Sequence, residues 1–219
     1  MFHWEERITF QQKIKISFET GHYLVRTIET SDELHKVLAL RRRAFPHLSE
    51  RIKEFDYTAD HLIAQDKLTG EICGAYRLSC SSHSKHFETE EDFNVNAMIK
   101  GPGVKVELAW ACVAPEYRNG TVISALWEGI RSYLQLTRAQ YAFGATSVMD
   151  SDGQRISDIQ SLLKDLNSHP QNKSNKKILR ALPTLLRAYI LAGAFVFAQP
   201  IFDADLNCYD FMTVLEVNA

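Results

Sequence analysis

The chain is predicted to fold as a mixed α/β sheet with antiparallel strands first and last, and three features of the sequence carry that prediction. The first half holds short period-two segments, IKISF, YLVRTI, HLIAQD and ICGAYRLSC, broken by turn residues such as Gly70. Such alternation marks half-buried strands. The centre then reads strand, helix, strand, as KVELAWACV, a helical stretch from Thr121 to about Thr137, and YAFGATS, which is the order of an α/β unit. The last third returns to helices and closes on the alternating segment DFMTVLEV. No internal repeat, low-complexity tract or Pro/Gly/Ser-rich linker divides residues 1–219, so a single domain is expected.

Taken in order, IKISF and YLVRTI are opening strands. Ser31 followed by apolar Leu34, Val37, Leu38 and Leu40 predicts a helix capped by Ser31 or Asp32 and ended near Phe45 and Pro46. HLIAQD and ICGAYRLSC, joined by KLTGE, form a predicted hairpin. The stretch from Ser81 to Gly103 is a long loop carrying HSKHFETEED and a GPG turn. A loop of that length is either a lid or binding element, or a solvated excursion with one short helix. After the central unit come a helix from Gln154 to Asn167, a polar loop HPQNKSNKK, a helix from Leu182 to Leu191 ended by Gly193, and strands at AFVFA and DFMTVLEV.

With 219 residues, 45% of them apolar and 24% charged, the chain can bury a substantial core. Its formal charge of −2 lacks the basic excess that a general nucleic-acid binder needs. The start, MFHWEERITFQQKIKISF, mixes acids, bases and apolar residues and so does not read as a secretory signal, which makes a cytoplasmic location the expectation. The longest apolar stretch, Ala188 to Phe202, contains Gly193 and Pro200 and falls short of the roughly 20 residues of a membrane span. Cys73, Cys80, Cys112 and Cys208 show no paired spacing and no clustered histidine. They read as buried reduced thiols rather than metal ligands, with a nucleophilic Cys112 as the alternative.

Two charged residues stand out on the central strands. Alternation along KVELAWACV puts Val106, Leu108, Trp110 and Cys112 on one face, and Lys105, Glu107, Ala109 and Ala111 on the other. A carboxylate followed by two alanines leaves space beside Glu107, as a substrate channel requires. The hairpin strand repeats the device, with Ile72, Gly74, Tyr76 and Leu78 on one face and Cys73, Ala75, Arg77 and Ser79 on the other. Glu107 and Arg77 are either a buried ion pair or a catalytic pair. Directly after the strand, Pro115-Glu-Tyr-Arg118-Asn119-Gly120 ends where a helix begins at Thr121. Free backbone N–H groups, the positive helix end and the Arg118 guanidinium then meet at one spot suited to a phosphate.

The stretch VAPEYRNGTVISALW resembles the acyl-donor motif of the GNAT N-acyltransferase superfamily, in which such a turn holds the phosphate of coenzyme A or phosphopantetheine. Where the superfamily motif continues with a further Gly and a small residue, Thr121 and Ile123 stand. Together with HLIAQDKLTGEICGAYRL, YAFGATS, LPTLLRAYILAGAFVF and PIFDADLNCYDF, this departure is similar to one branch of the superfamily. That branch comprises the long-chain N-acyl amino acid synthases and ornithine-lipid N-acyltransferases, with the acyl-homoserine-lactone synthases as relatives. The resemblance spans roughly Leu34 to Val217. Many members carry Gly-Arg after the strand glutamate, whereas Ala109 and Trp110 stand here; any role of that arginine falls to Arg77, Arg41 or Arg43.

The resemblance implies a GNAT-like fold over residues 1–219 and an enzyme with no tightly bound cofactor. Its donor substrate would be an acyl-phosphopantetheine on acyl carrier protein or coenzyme A, and its acceptor the α-amine of an amino acid, tyrosine-like or ornithine. Val113, Arg118, Asn119, Gly120 and Thr121 would bind the donor, with a backbone N–H near Cys112 or Val113 facing the oxyanion. Glu107 would accept the amine proton, directly or through water. Arg77 would pair with the acceptor carboxylate, and Asp56 and Asp60 would hold a cationic acceptor or cap a turn. Ala109, Ala111, Ala142, Gly144 and Ala145 would leave room for the acyl chain if the central strands splay. Lys173, Lys176, Lys177 and Arg180 would either dock an acidic carrier protein or stand in a solvated loop. The alternatives are an acyl-homoserine-lactone synthase, a short-chain acetyl-coenzyme A transferase, and a non-catalytic module that binds acyl thioesters.

Overall fold

In the computed structural model, residues 9–46, 53–149, 154–168, 176–197 and 199–217 are described. Among these residues nine strands make one sheet: β1 Ser17–Thr20, β2 Tyr23–Thr27, β3 Asp60–Asp66, β4 Ile72–Cys80, β5 Val104–Val113, β6 Ala139–Met149, β7 Phe195–Val196, β8 Ile201–Asp203 and β9 Cys208–Glu216. Their order is β1-β2-β3-β4-β5-β6-β9-β7, with β8 on β9. Every neighbouring pair is antiparallel except β5 and β6. That one parallel pair needs a crossover, and α4, Thr121–Leu136, supplies it.

The other helices are α1 Ser31–Ala44, α2 Glu54–Thr58, α3 Asn96–Lys100, α5 Gln154–Ser168, α6 Lys176–Ala181 and α7 Thr184–Leu191. α1 is capped one residue earlier than the sequence indicated, by the Thr30 hydroxyl accepting from the Glu33 N–H. Asp32 and Glu33 fill its first turn and Arg41, Arg42 and Arg43 its last, which matches the helix dipole at both ends. α6, whose residues begin in the stretch read as a polar loop, and β8 were not anticipated.

α4 lies on one face of the sheet, where Val122, Leu126 and Ile130 bury against Leu62, Tyr76, Leu78, Val106 and Leu108. Glycines allow that close approach. A Cβ on Gly74 would stand 2.6 Å from Val122 Cγ1, and one on Gly129 would stand 2.8 Å from Leu62 and Val25 side-chain carbons. α5, α6 and α7 cover the β6–β9 part of the sheet through Ile159, Leu163, Leu179, Leu186, Val148 and Phe211. On the opposite face α1 packs Leu34, Val37 and Leu38 over Ile63, Ala75 and Cys112.

Two bulges alter the facing read from simple alternation. β4 carries an extra residue around Cys73, so Cys73 joins the α4-side core and Ile72 packs on the α1 side. β5 carries another, because Ala75 pairs with Cys112 while Arg77 pairs with Ala109. Trp110 sits in that bulge at φ 54°. Past it the alternation inverts. Cys112 lies on the α1 side, Ala111 and Val113 pack towards α4, and Trp110 faces the cavity described below. A period-two count cannot see an inserted residue, which moves every later side chain to the other face.

Candidate active site

β5 and β6 pair only from Val104 opposite Ala139 to Glu107 opposite Phe143. Beyond that pair the two strands part, and a cavity of about 300 Å³ opens between them. Gly144 marks the point of divergence, where an added Cβ would lie 2.2 Å from the Leu108 carbonyl oxygen. Ala109, Ala111 and Ala145 line the opening together with Glu107. Ala142 and Gly144 do not contribute space. Ala142 is buried in the α4-side core and Gly144 abuts the β5 backbone. Leu185 of α7 lines the same cavity as Glu88 and Thr89 from the opposite side of the sheet, so the opening passes through the sheet.

Glu107 is fully buried at the root of this opening. One carboxylate oxygen, Oε1, accepts from the Thr89 backbone N–H at 2.8 Å and from the Thr89 hydroxyl at 2.6 Å. The other, Oε2, stands 3.5 Å from Arg77 Nη2 and accepts no hydrogen bond among the described residues. A carboxylate oxygen buried without a donor retains unused accepting capacity.

Arg77 is not among the residues that line the cavity. Its side chain is 0% exposed and lies among three carboxylates, with Asp56 at 3.4 Å, Glu107 at 3.5 Å and Glu88 in direct hydrogen-bond contact. Glu88 also accepts from Trp110 Nε1 at 2.8 Å and pairs with Lys53 Nζ at 3.0 Å. Burial alone would raise the Glu88 pKa, but the Arg77 and Lys53 charges outweigh it and hold the carboxyl below its ordinary range. The stretch from Ser81 to Gly103 is therefore no solvated excursion. Phe87, Phe93 and Val95 bury against Phe143, Met212 and Val214, and the 3₁₀ turn Glu88–Glu91 brings Glu88 and Thr89 to the site. Lys105 fastens the far end of this loop by donating to the carbonyls of Pro102 and Gly103 at 2.9 and 2.7 Å.

Trp110 adopts a left-handed conformation that costs a non-glycine residue about 1–2 kcal/mol. Several contacts hold it there: the Glu88 hydrogen bond, the Arg41 guanidinium 4.4 Å from the ring centroid, and an edge contact with Phe45 at 6.2 Å. An arginine thus stands beside the position after the strand glutamate, supplied by α1 rather than β5. Arg41 is bound to Asp56 at 2.7 Å, whereas Arg43 pairs at the surface with Glu71 and Glu116.

Asp56 and Asp60 stand apart from the cavity. Asp56 is buried between Arg41 and Arg77 and caps α2 through the Lys53 N–H at 3.1 Å. Burial pushes its pKa up, yet the two guanidinium groups more than reverse the shift. Asp60 projects to the α4 face, accepting from Lys13 N at 2.6 Å and Tyr133 Oη at 2.8 Å. Asp56 on α2 and Asp60 at the start of β3, four residues apart, thus meet separate sets of partners. Cys112 is buried, which pushes its thiol up to about 11, and a thiol so seldom ionised is a poor nucleophile.

At the donor turn, Gly120 takes φ 93° before α4, a left-handed geometry that glycine adopts without strain. The Asn119 carboxamide oxygen accepts from the Thr121 N–H at 3.0 Å and from its hydroxyl at 2.7 Å, and Thr121 Oγ1 lies 2.8 Å from Tyr23 Oη. Arg118 Nε donates to the Val113 carbonyl at 3.0 Å, which tethers an exposed guanidinium at the mouth of the turn. Of the basic cluster, Lys173 and the side chain of Lys176 lie outside the described residues, while Lys177 and Arg180 are exposed on α6.

Sequence reasoning missed Glu88, Thr89, Lys53, Ser147 and Asp210, all of which line the cavity. Asp210 left a signal. It shares a face of β9 with Cys208, Met212 and Val214, all buried, and a lone acid in an apolar register is out of place.

A family model described as an acetyltransferase (GNAT) domain matches residues 35–128. The L-ornithine N(alpha)-acyltransferase of Rhodobacter capsulatus is 24% identical over 195 residues, covering 76% of this chain and 74% of its own length. That of Rhizobium meliloti is 26% identical over 234 residues, covering 88% and 79%. FeeM, an N-acyl amino acid synthase from uncultured soil microbes, aligns with a TM-score of 0.58 at 11% identity, over 90% of this chain and 92% of that one. The sequence match from α1 into α4, the sheet parted between β5 and β6 and the relatives in common make this chain an acyltransferase of GNAT fold, similar to the L-ornithine N(alpha)-acyltransferases and to an N-acyl amino acid synthase.

Proposed function

We propose that the protein transfers a long-chain acyl group from the phosphopantetheine thioester of acyl carrier protein to the α-amine of an amino acid, with Glu107 as general base. The observation that carries this reading is Glu107 Oε2, buried and without a hydrogen-bond donor beside the opening between β5 and β6. In the step it would serve, the unprotonated amine nitrogen forms the C–N bond at the thioester carbonyl. The C–S bond breaks, its electron pair leaves with the pantetheine sulfur, and the amine proton passes to Oε2 directly or through water. The thiolate is protonated from solvent. The free β5 edge beyond Glu107 supports an oxyanion site on a backbone N–H near Cys112 or Val113.

For the donor, the α4 N-terminus with Arg118, Asn119, Gly120 and Thr121 matches one phosphate better than a pyrophosphate, because the Asn119 side chain already occupies the Thr121 N–H. Ala109, Ala111 and Ala145 give the acyl chain its passage through the sheet. For the acceptor, ornithine is favoured over a tyrosine-like amino acid, since Glu88, Asp92, Glu107, Asp203 and Asp210 line the cavity against one lysine, Lys53. Arg77 then acts as a positioning residue that fixes Glu107 and Glu88. We place the reaction in the cytoplasm, with its thioester donor.

Production of the protein in a bacterial host, with mass spectrometry of the extracted lipids, tests the reading. New N-acyl amino acids are expected with the native chain and not with Glu107→Gln. Equal amounts from both would remove Glu107 from the mechanism.

A further inference from the structure

The carboxylates of the cavity fall into two groups. Glu107 and Glu88 sit at its root, and Glu88 is neutralised by Arg77 and Lys53. At the opposite wall Asp210 of β9 pairs in register with Ser147 of β6, and both line the cavity. Asp210 is only 6% exposed. Among the described residues its hydrogen-bond partners are neutral, the Ser147 hydroxyl and, at 3.8 Å, the Cys208 thiol. Asp203 and Asp92 line the same cavity.

We infer that the Asp210–Ser147 pair is the specificity element for the acceptor side chain, binding a distal ammonium while the α-amine lies at Glu107. The inference rests on the N-acyltransferase reading and goes beyond it by assigning the group that selects a dibasic acceptor. Two independent observations meet in it. A buried, donor-free oxygen at Glu107 Oε2 calls for an N–H at one end of the cavity, and a buried carboxylate among other carboxylates calls for a cation at the other.

The register sets the spacing. Glu107 is level with Phe143, and Ser147 with Asp210. Four residues of β6 separate the two levels, about 13 Å along the strand at roughly 3.3 Å per residue. An extended amino acid with a terminal amine, hydrogen-bonded at both ends, approaches this span, and one without that amine falls short of Asp210. Burial raises the Asp210 pKa, opposed by the Ser147 hydrogen bond and reinforced by the Asp203 charge and by Asp92. An arriving ammonium therefore also draws the carboxyl into its ionised form.

The test measures kcat and KM for acyl transfer by the full chain from a long-chain acyl thioester to ornithine, to 2,4-diaminobutyrate and to norvaline, which is ornithine without its terminal amine. The native protein is expected to prefer ornithine over norvaline in kcat/KM by about 30-fold or more, the scale of one charge-assisted hydrogen bond. Asp210→Asn should lose most of that preference through a raised KM for ornithine, with norvaline transfer within about threefold of native. Retained norvaline transfer also shows that the variant is folded. Asp210→Glu keeps the charge one methylene further into the cavity and should shift preference towards 2,4-diaminobutyrate. An equal loss for ornithine and norvaline in Asp210→Asn, or no native preference between them, overturns the inference and leaves the acyltransferase reading standing. No transfer by the native chain to any amino acid overturns both.

Discussion

At the residue scale, the buried charges are organised around one cation. Arg77 sits between Asp56, Glu88 and Glu107, and removing the centre of such a network leaves carboxylates buried against one another. Arg77→Met should cost about 3–5 kcal/mol of stability in denaturant titration. Arg77→Lys keeps a charge but loses the planar fork, and it separates two roles. A positioning residue predicts a lower kcat with acceptor KM nearly unchanged, whereas a clamp on the acceptor carboxylate predicts a raised KM. The sequence showed Glu107 and Arg77 because each interrupts a run of small or apolar residues on a central strand. It did not show Thr89 or Glu88, because a loop residue carries no periodicity to betray which way it points.

At the element scale, the proposed reaction depends on two strands that begin paired and then part. Gly144 lies where they diverge. Gly144→Ala would drive a Cβ into the Leu108 carbonyl at 2.2 Å, so it should lower stability by about 1–3 kcal/mol and depress acyl transfer with it. Native thermal unfolding in that variant would show that the parting of β5 and β6 does not depend on this contact. The elements themselves were largely legible. β3, β4, the span of β5, α4, β6 and β9 follow from alternation and turn residues, as their hydrophobic periods agree with the tertiary environment. The β5 bulge was not, and with it the facing of Trp110 and Cys112. An inserted residue leaves composition and period untouched on either side and is fixed by tertiary contacts, here Arg41, Phe45 and Glu88 on Trp110.

At the scale of the whole molecule, the buried polar layer beneath α1 couples folding to pH. His61 is fully buried, Nε2 meets the Asp56 carbonyl at 2.8 Å, and Nδ1 has no partner among the described residues. Burial lowers its pKa to about 4 from an ordinary 6.5. The unfolded chain therefore takes up that proton first, and stability is complete above about 6.5 and lost progressively down to about 4, roughly 3 kcal/mol in all. Asp56 and Glu88, both held below their ordinary values, add a further loss below that window. Asp210, held above its ordinary value, works in the opposite sense, giving up stability as pH rises through its raised pKa. Urea midpoints measured across the window should fall with acidification, and His61→Gln, whose amide can still donate to Asp56, should flatten the fall. A midpoint independent of pH would contradict this assignment.

The central claim is that one carboxylate oxygen, kept free of donors at the root of a parted sheet, receives the proton of the attacking amine. Its most direct test is the rate of thiol release from long-chain acyl carrier protein in the presence of ornithine, with donor affinity measured in parallel. For Glu107→Gln the account predicts a loss of about 100-fold or more in kcat with donor binding unchanged. A Glu107→Gln protein that turns over at the native rate, or that fails only because it no longer binds donor, would contradict it.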